Sequence, residues 1–166
     1  MGSRRERYAT DPAQHLEAVF RDIERTRMAG LPILNTALTV EAIGFTPWQG
    51  HWLGALITPW FLNLVLVPGA QGEWPHAAEG ERIVRQLPAG NCGFYGCFEP
   101  VIGEFHASSV CSPMSRFADQ AAARAEAQRA LNAWLTVPEP AESAADAADG
   151  ERRAFLRRML PGERRV

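Results

Sequence analysis

The chain has 166 residues, enough for one domain with a buried core, and its 46% apolar and 22% charged content is that of an ordinary folded protein. A net charge of -2 supplies no overall field for nucleic acid or an anionic membrane, so neither is an expected partner. All 17 basic residues are arginine, which excludes Schiff-base and lysine-base chemistry. Three cysteines, an odd number, and an N-terminus without an apolar run predict reduced thiols and a cytoplasmic chain.

In chain order, a polar segment over residues 1–10 leads to Thr10-Asp11-Pro12, a helix start in which Thr10 or Asp11 caps free N–H groups. Leu16, Val19, Phe20 and Ile23 follow helical spacing, and Gly30 and Pro32 stop the helix, so a helix is predicted over 12–29. Residues 38–45 read as a first strand and Pro47 to Gly50 as a turn. The run from Trp52 to Pro68 is almost wholly apolar. It is short for a membrane helix and broken by Pro59, so it reads as two central strands, 51–58 and 61–67, buried on both faces. A loop over 68–80 precedes a strand at 81–88, where Ile83 and Leu87 alternate with Arg82 and Gln86. Residues 92–99 and 104–111 are two more strands.

Beyond Ser112-Pro113, an alanine-rich helix runs from 115 or 116 to 135, with Phe117, Ala121, Ala125, Leu131 and Leu135 as its inward stripe. The expected class is α+β: a mostly antiparallel sheet of five or six strands packed with an N-terminal and a C-terminal helix. The globular domain is placed at 11–137. Residues 138–166 are read as a flexible acidic and alanine-rich linker followed by a short basic tail.

Reactive groups are sparse. Cys92 and Cys97 are spaced C-x4-C, with Cys111, His106 and His76 elsewhere, whereas zinc and iron–sulfur sites use tighter pairs and four ligands. Residues 92 and 97 differ by an odd number and point to opposite faces of a strand, as do His106 and Cys111. A Cys111–His106 nucleophile pair, or a Ser108–His106–Asp119 triad, lacks any accompanying signature. The turns Gly90-Asn91-Cys92-Gly93 and Gly69-Ala70-Gln71-Gly72 do not open a helix after a strand, so they read as connections rather than phosphate cradles. No catalytic residue, metal site or cofactor is expected. Of five tryptophans, Trp52 and Trp134 fit core positions, and Trp48, Trp60 and Trp74 fall at turns, where a ring either closes the end of a core or anchors a partner.

Several blocks taken together resemble a known family. They are residues 27–35 (Arg27 to Asn35), Gly44-Phe45-Thr46-Pro47-Trp48, Trp52-Leu53-Gly54 through Thr58-Pro59-Trp60-Phe61-Leu62-Asn63-Leu64-Val65-Leu66, and Cys111-Ser112-Pro113-Met114 with Phe117-Ala118-Asp119-Gln120-Ala121. Over about residues 15–135 the chain is similar to the HybE/HupJ family of [NiFe]-hydrogenase assembly chaperones. The resemblance implies a cytoplasmic, non-enzymatic maturation factor for an uptake hydrogenase. Such a factor binds the small or large subunit precursor, the small subunit's twin-arginine signal peptide included, before export. Relatives with a fused rubredoxin domain carry Cys-x-x-Cys pairs that are absent here, so no iron site is carried over.

A receptor for two arginines and an apolar run needs an apolar wall with a carboxylate at one end. Trp48, Trp60, Phe61 and Met114 are the candidates for the wall, and Asp119 or Glu41 for the carboxylate. The alternative is a metal or iron–sulfur carrier using Cys92, Cys97 and Cys111. A third reading is a small hydrolase with Cys111 or Ser108 as nucleophile. The tail sequence Arg152-Arg153-Ala154-Phe155-Leu156 is itself similar to a twin-arginine motif. It lacks the apolar stretch that follows in an export signal, and it reads first as an arginine-rich amphipathic tail and second as a signal mimic.

Overall fold

The structure is a computed structural model and describes residues 7–139. The acidic linker and the basic tail with its twin-arginine-like motif fall, from residue 140 onward, outside the described residues.

Among the described residues, six antiparallel strands form one sheet: β1 (Glu41–Trp48), β2 (His51–Ile57), β3 (Leu62–Val67), β4 (Arg82–Leu87), β5 (Gly90–Glu99) and β6 (Gly103–Cys111). Their order across the sheet is β1-β2-β3-β6-β5-β4. Helix α1 (Ala13–Thr26) packs on one face and helix α2 (Gln120–Leu135) on the other. The expected α+β class, strand number and two flanking helices are all present.

The Trp52–Pro68 run is continuous in hydrophobicity because β2 and β3 are covered on both sides. Leu53, Ala55, Ile57, Leu62, Leu64 and Leu66 enter the core under α2, while Leu56, Val65 and Val67 enter the core under α1. Among the described residues, no helix is long and apolar enough to cross a membrane.

Helix α1 begins where Asp11 accepts a hydrogen bond from the Ala13 N–H (2.8 Å) and buries Leu16 and Phe20. It ends three residues before the expected position. The N–H groups of Arg27 and Met28 both turn back to the Ile23 carbonyl, and Gly30 follows at positive φ.

The first strand is shifted from 38–45 to 41–48. Leu38 and Val40 are buried, but they reach the two cores from the approach to the strand. Within β1 the register slips between Ile43 and Thr46 at a bulge where Gly44 has φ +63°. Pro47 lies inside the strand, which an edge strand tolerates. The turn contracts to Gln49 and Gly50, both at positive φ, the conformation of a tight two-residue hairpin.

The C-terminal helix starts at Gln120 instead of 115 or 116, because Asp119 caps it through the Ala122 N–H (2.8 Å). Its buried stripe is Ala123, Ala127, Ala130 and Leu131; Ala121 and Ala125 are exposed. Alanine occupies every side of this helix, so apolar spacing does not single out the inward face. Phe117 and Leu131 are buried as expected.

Candidate functional site

Three sequence-distant blocks meet at the end of the sheet where β2 passes into β3, and Asn35 ties them together. Its N–H donates to the Pro59 carbonyl (2.9 Å), and its side-chain amide donates to the carbonyls of Met114 (2.9 Å) and Phe117 (2.8 Å). The Ser112 hydroxyl donates to the Trp60 carbonyl (3.4 Å). Thr58 closes the 58–61 turn, its hydroxyl oxygen accepting from the Phe61 N–H (2.9 Å). Leu31 and Ile33, on the segment leading to Asn35, are 44% and 47% exposed. Trp60 and Phe61 are half-buried, stacked edge-on to one another and packed against Phe20 of α1.

Four of the five residues proposed for partner contact therefore share this end: Trp60, Phe61, Met114 and Asp119. Met114 is fully buried and forms the floor rather than the surface. Asp119 is exposed while capping α2. Trp48 lies at the opposite end of the sheet, on the α2 face. Glu41 is held by Arg124 (2.7 Å) and by the Gln120 amide (2.8 Å).

The opposite end holds a polar cluster inside the α2-side core, built around Trp74 from the β3–β4 crossover. The Trp74 indole N–H donates to Glu104, and the imidazole of His76 bonds the other oxygen of the same carboxylate. His106 stacks on the Trp74 ring at 4.3 Å and His51 meets it edge-on at 5.1 Å. His51 accepts from the Gly69 N–H at Nδ1 (3.0 Å), so its Nε2–H donates to the Glu73 carbonyl (2.8 Å). That arrangement is a neutral imidazole, and burial holds the pKa of His51 below its ordinary value.

His106 is completely buried and neither ring nitrogen has a hydrogen-bond partner among the described residues. Burial, only partly opposed by the Glu104 charge, lowers its pKa to about 4. In the unfolded chain the same imidazole takes up a proton near pH 6.5, so acidification from about 6.5 to about 4 favours the unfolded state. The stability lost across that window is about 3 kcal/mol. Urea unfolding at pH 7 and pH 4.5 is expected to show the loss in the native chain and a clearly smaller one in His106→Phe.

The thiols do not converge. Cys92 belongs to the α2-side core, beside Ser108 (3.6 Å), and Cys97 packs on the α1 side, as their odd spacing requires. Burial raises the pKa of both, away from a reactive thiolate. For His106 and Cys111 the parity argument fails. A register shift in the β3–β6 pairing sets Cys111 opposite Leu62 and His106 opposite Leu66, so both face the α2 side. An offset of four positions along β3 still separates them, roughly 13 Å. No group of three or more His, Cys, Asp or Glu among the described residues is arranged to hold a metal ion.

Arg85, absent from the sequence-based candidates, is buried; it shares strand parity with the inward Ile83 and Leu87, which is the signal for it in the sequence.

The family model described as "[NiFe]-hydrogenase assembly, chaperone, HybE" matches residues 11–158. The hydrogenase expression/formation protein HupT of Azotobacter chroococcum is 42% identical over 151 residues, covering 89% of this chain and 95% of that protein. The hydrogenase expression/formation protein HupJ of Bradyrhizobium diazoefficiens is 39% identical over 154 residues, covering 90% and 89%. The solution structure of HybE from Escherichia coli superposes with a TM-score of 0.64 at 29% identity, covering 80% of this chain and 82% of that one. The matched region takes in the sheet, both helices and the Asn35-centred junction, and the chain belongs to the HybE family of [NiFe]-hydrogenase assembly chaperones.

Proposed function

We infer that this chain acts in [NiFe]-hydrogenase maturation by holding a precursor subunit before export, above all the small subunit through its twin-arginine signal peptide. Family membership supports the maturation role. The observation that carries the finer reading is the Asn35 junction. It places exposed Leu31 and Ile33, half-buried Trp60 and Phe61, and the exposed Asp119 carboxylate at one end of the sheet, over a fixed floor of Met114 and Phe117.

A signal peptide offers the complementary chemistry. Its apolar run covers aliphatic and aromatic surface, and its guanidinium groups pair with a carboxylate. Holding such a segment needs adaptable contact area and no reacting group. Trp48 lies at the far end and takes no part in this contact.

The test is a binding titration of the full chain against hydrogenase small-subunit precursor with and without its leader. The leaderless form is expected to bind at least tenfold more weakly, about 1.4 kcal/mol. Equal affinity removes the leader from the account and moves recognition to the body of the subunit.

A further inference from the structure

Among the described residues β1 and β4 are the two edges of the sheet, yet Trp48 at the end of β1 and residues Ile83 to Gln86 of β4 line one cavity of about 470 Å³. This cavity is a seam between the Trp48 end of β1 and β4. Trp74 and Pro75 close the cavity from the crossover loop.

Arg85 points into this space from β4. It is 8% exposed, and its Nη1 is buried with no hydrogen-bond partner among the described residues. Its guanidinium carbon sits 5.7 Å from the ring of Trp48 and 5.5 Å from the ring of Trp74. Glu104 is bonded to Trp74 and His76, and Glu73, which also lines the cavity, leaves Nη1 of Arg85 without a partner. Ring faces attract a cation but fill none of its donor positions. A buried guanidinium with an unmade bond is a cost that folding alone does not explain, and a carboxylate matches the planar fork.

The wall that carries Arg85 is an edge strand paired only with β5 among the described residues. Its outer N–H and C=O groups are available to an added extended segment, whose alternate side chains would face the seam.

We propose that this seam is a second docking site, taking an extended polypeptide segment of a partner protein that adds to the edge of β4 and places one Asp or Glu carboxylate on Arg85 between Trp48 and Trp74. The site is independent of the signal-peptide reading, since it lies at the opposite end of the sheet and uses none of Leu31, Ile33, Trp60 or Asp119. An acidic segment is opposite in charge to a twin-arginine leader, so the two sites select different parts of a client.

The probes are the capped peptide Val-Thr-Val-Glu-Val-Thr-Val, its Glu→Gln counterpart, and glutarate, each titrated into the full chain while the five indole N–H signals are followed by NMR. The Glu peptide is expected to bind at least tenfold more tightly than the Gln peptide and to move two indole signals, those of Trp48 and Trp74. Arg85→Met should erase the Glu/Gln difference, and Arg85→Lys should restore part of it. A second variant, Val84→Pro, removes an N–H from β4 without touching the guanidinium; it should weaken both peptides together. Thermal melts establish that each variant is folded. Equal binding of the two peptides, a preference that survives in folded Arg85→Met, or glutarate competing as well as the Glu peptide would each overturn the proposal, the last by assigning the pocket to a small-molecule carboxylate.

Discussion

Replacing Asn35 with alanine is expected to lower the stability of the folded chain by about 3 kcal/mol, read as a reduced urea midpoint at unchanged slope. The side chain makes two donations, to the carbonyls of Met114 and Phe117. Its oxygen also accepts from the Ala37 N–H (3.0 Å). Alanine leaves the Phe117 carbonyl without its side-chain donor and the Met114 carbonyl with only the Phe117 N–H (3.2 Å), and an unsatisfied group costs more than a typical bond contributes. Asn35→Asp should be no better. It keeps the acceptor for Ala37 but turns a carboxylate toward two carbonyl oxygens. Because Asn35 joins the 31–35, 58–61 and 112–117 segments, the same change should weaken precursor binding beyond what loss of folded protein explains. Intact binding by the folded fraction would separate the junction from the contact surface.

Gly69→Ala is expected to cost about 4 kcal/mol or more, or to prevent folding. An added Cβ would stand 2.0 Å from the Gly50 carbonyl oxygen, 2.8 Å from its carbon and 2.9 Å from the His51 Cα. All three are backbone atoms in a hairpin turn whose geometry is already fixed by positive φ at Gln49 and Gly50. The N–H of Gly69 also sets the His51 tautomer, so a displaced backbone would disturb the polar cluster around Trp74. Gly80→Ala is the matched control. It has positive φ and no atom within 4 Å of the added carbon. The expected cost there is about 1 kcal/mol. Comparable losses at the two glycines would contradict the close-approach argument.

Much of the fold was legible because its signals are local. Two adjacent apolar strands, a capped amphipathic helix and an alanine-rich helix bounded by Pro138 leave few arrangements other than a sheet covered on both faces. The errors arose where local pattern and tertiary need diverge. The Gly44 bulge and a two-residue turn moved β1 by three residues. In α2, uniform alanine hid which face is inward. The shift near Cys111 reversed a parity argument that regular pairing would have sustained.

The candidate site was legible in part. Trp60, Phe61, Met114 and Asp119 come together because their segments flank one end of the sheet, and the resemblance blocks run through that end. Two roles were not readable. Met114 is floor instead of surface, since burial depends on the Asn35 bonds that draw residues 112–117 inward. For Arg85, charge usually marks the outer face of a half-exposed strand, and only the tertiary placement of Trp48 and Trp74 gives an inward arginine a cavity to face.

The most direct test of the central claim is the affinity of the full chain for small-subunit precursor, compared with a Leu31→Ser, Ile33→Ser double variant. Both side chains are exposed, so folding should be unaffected. A loss of at least tenfold in affinity, about 1.4 kcal/mol, at an unchanged melting temperature is the expected result. Undiminished binding by the folded double variant would contradict the account.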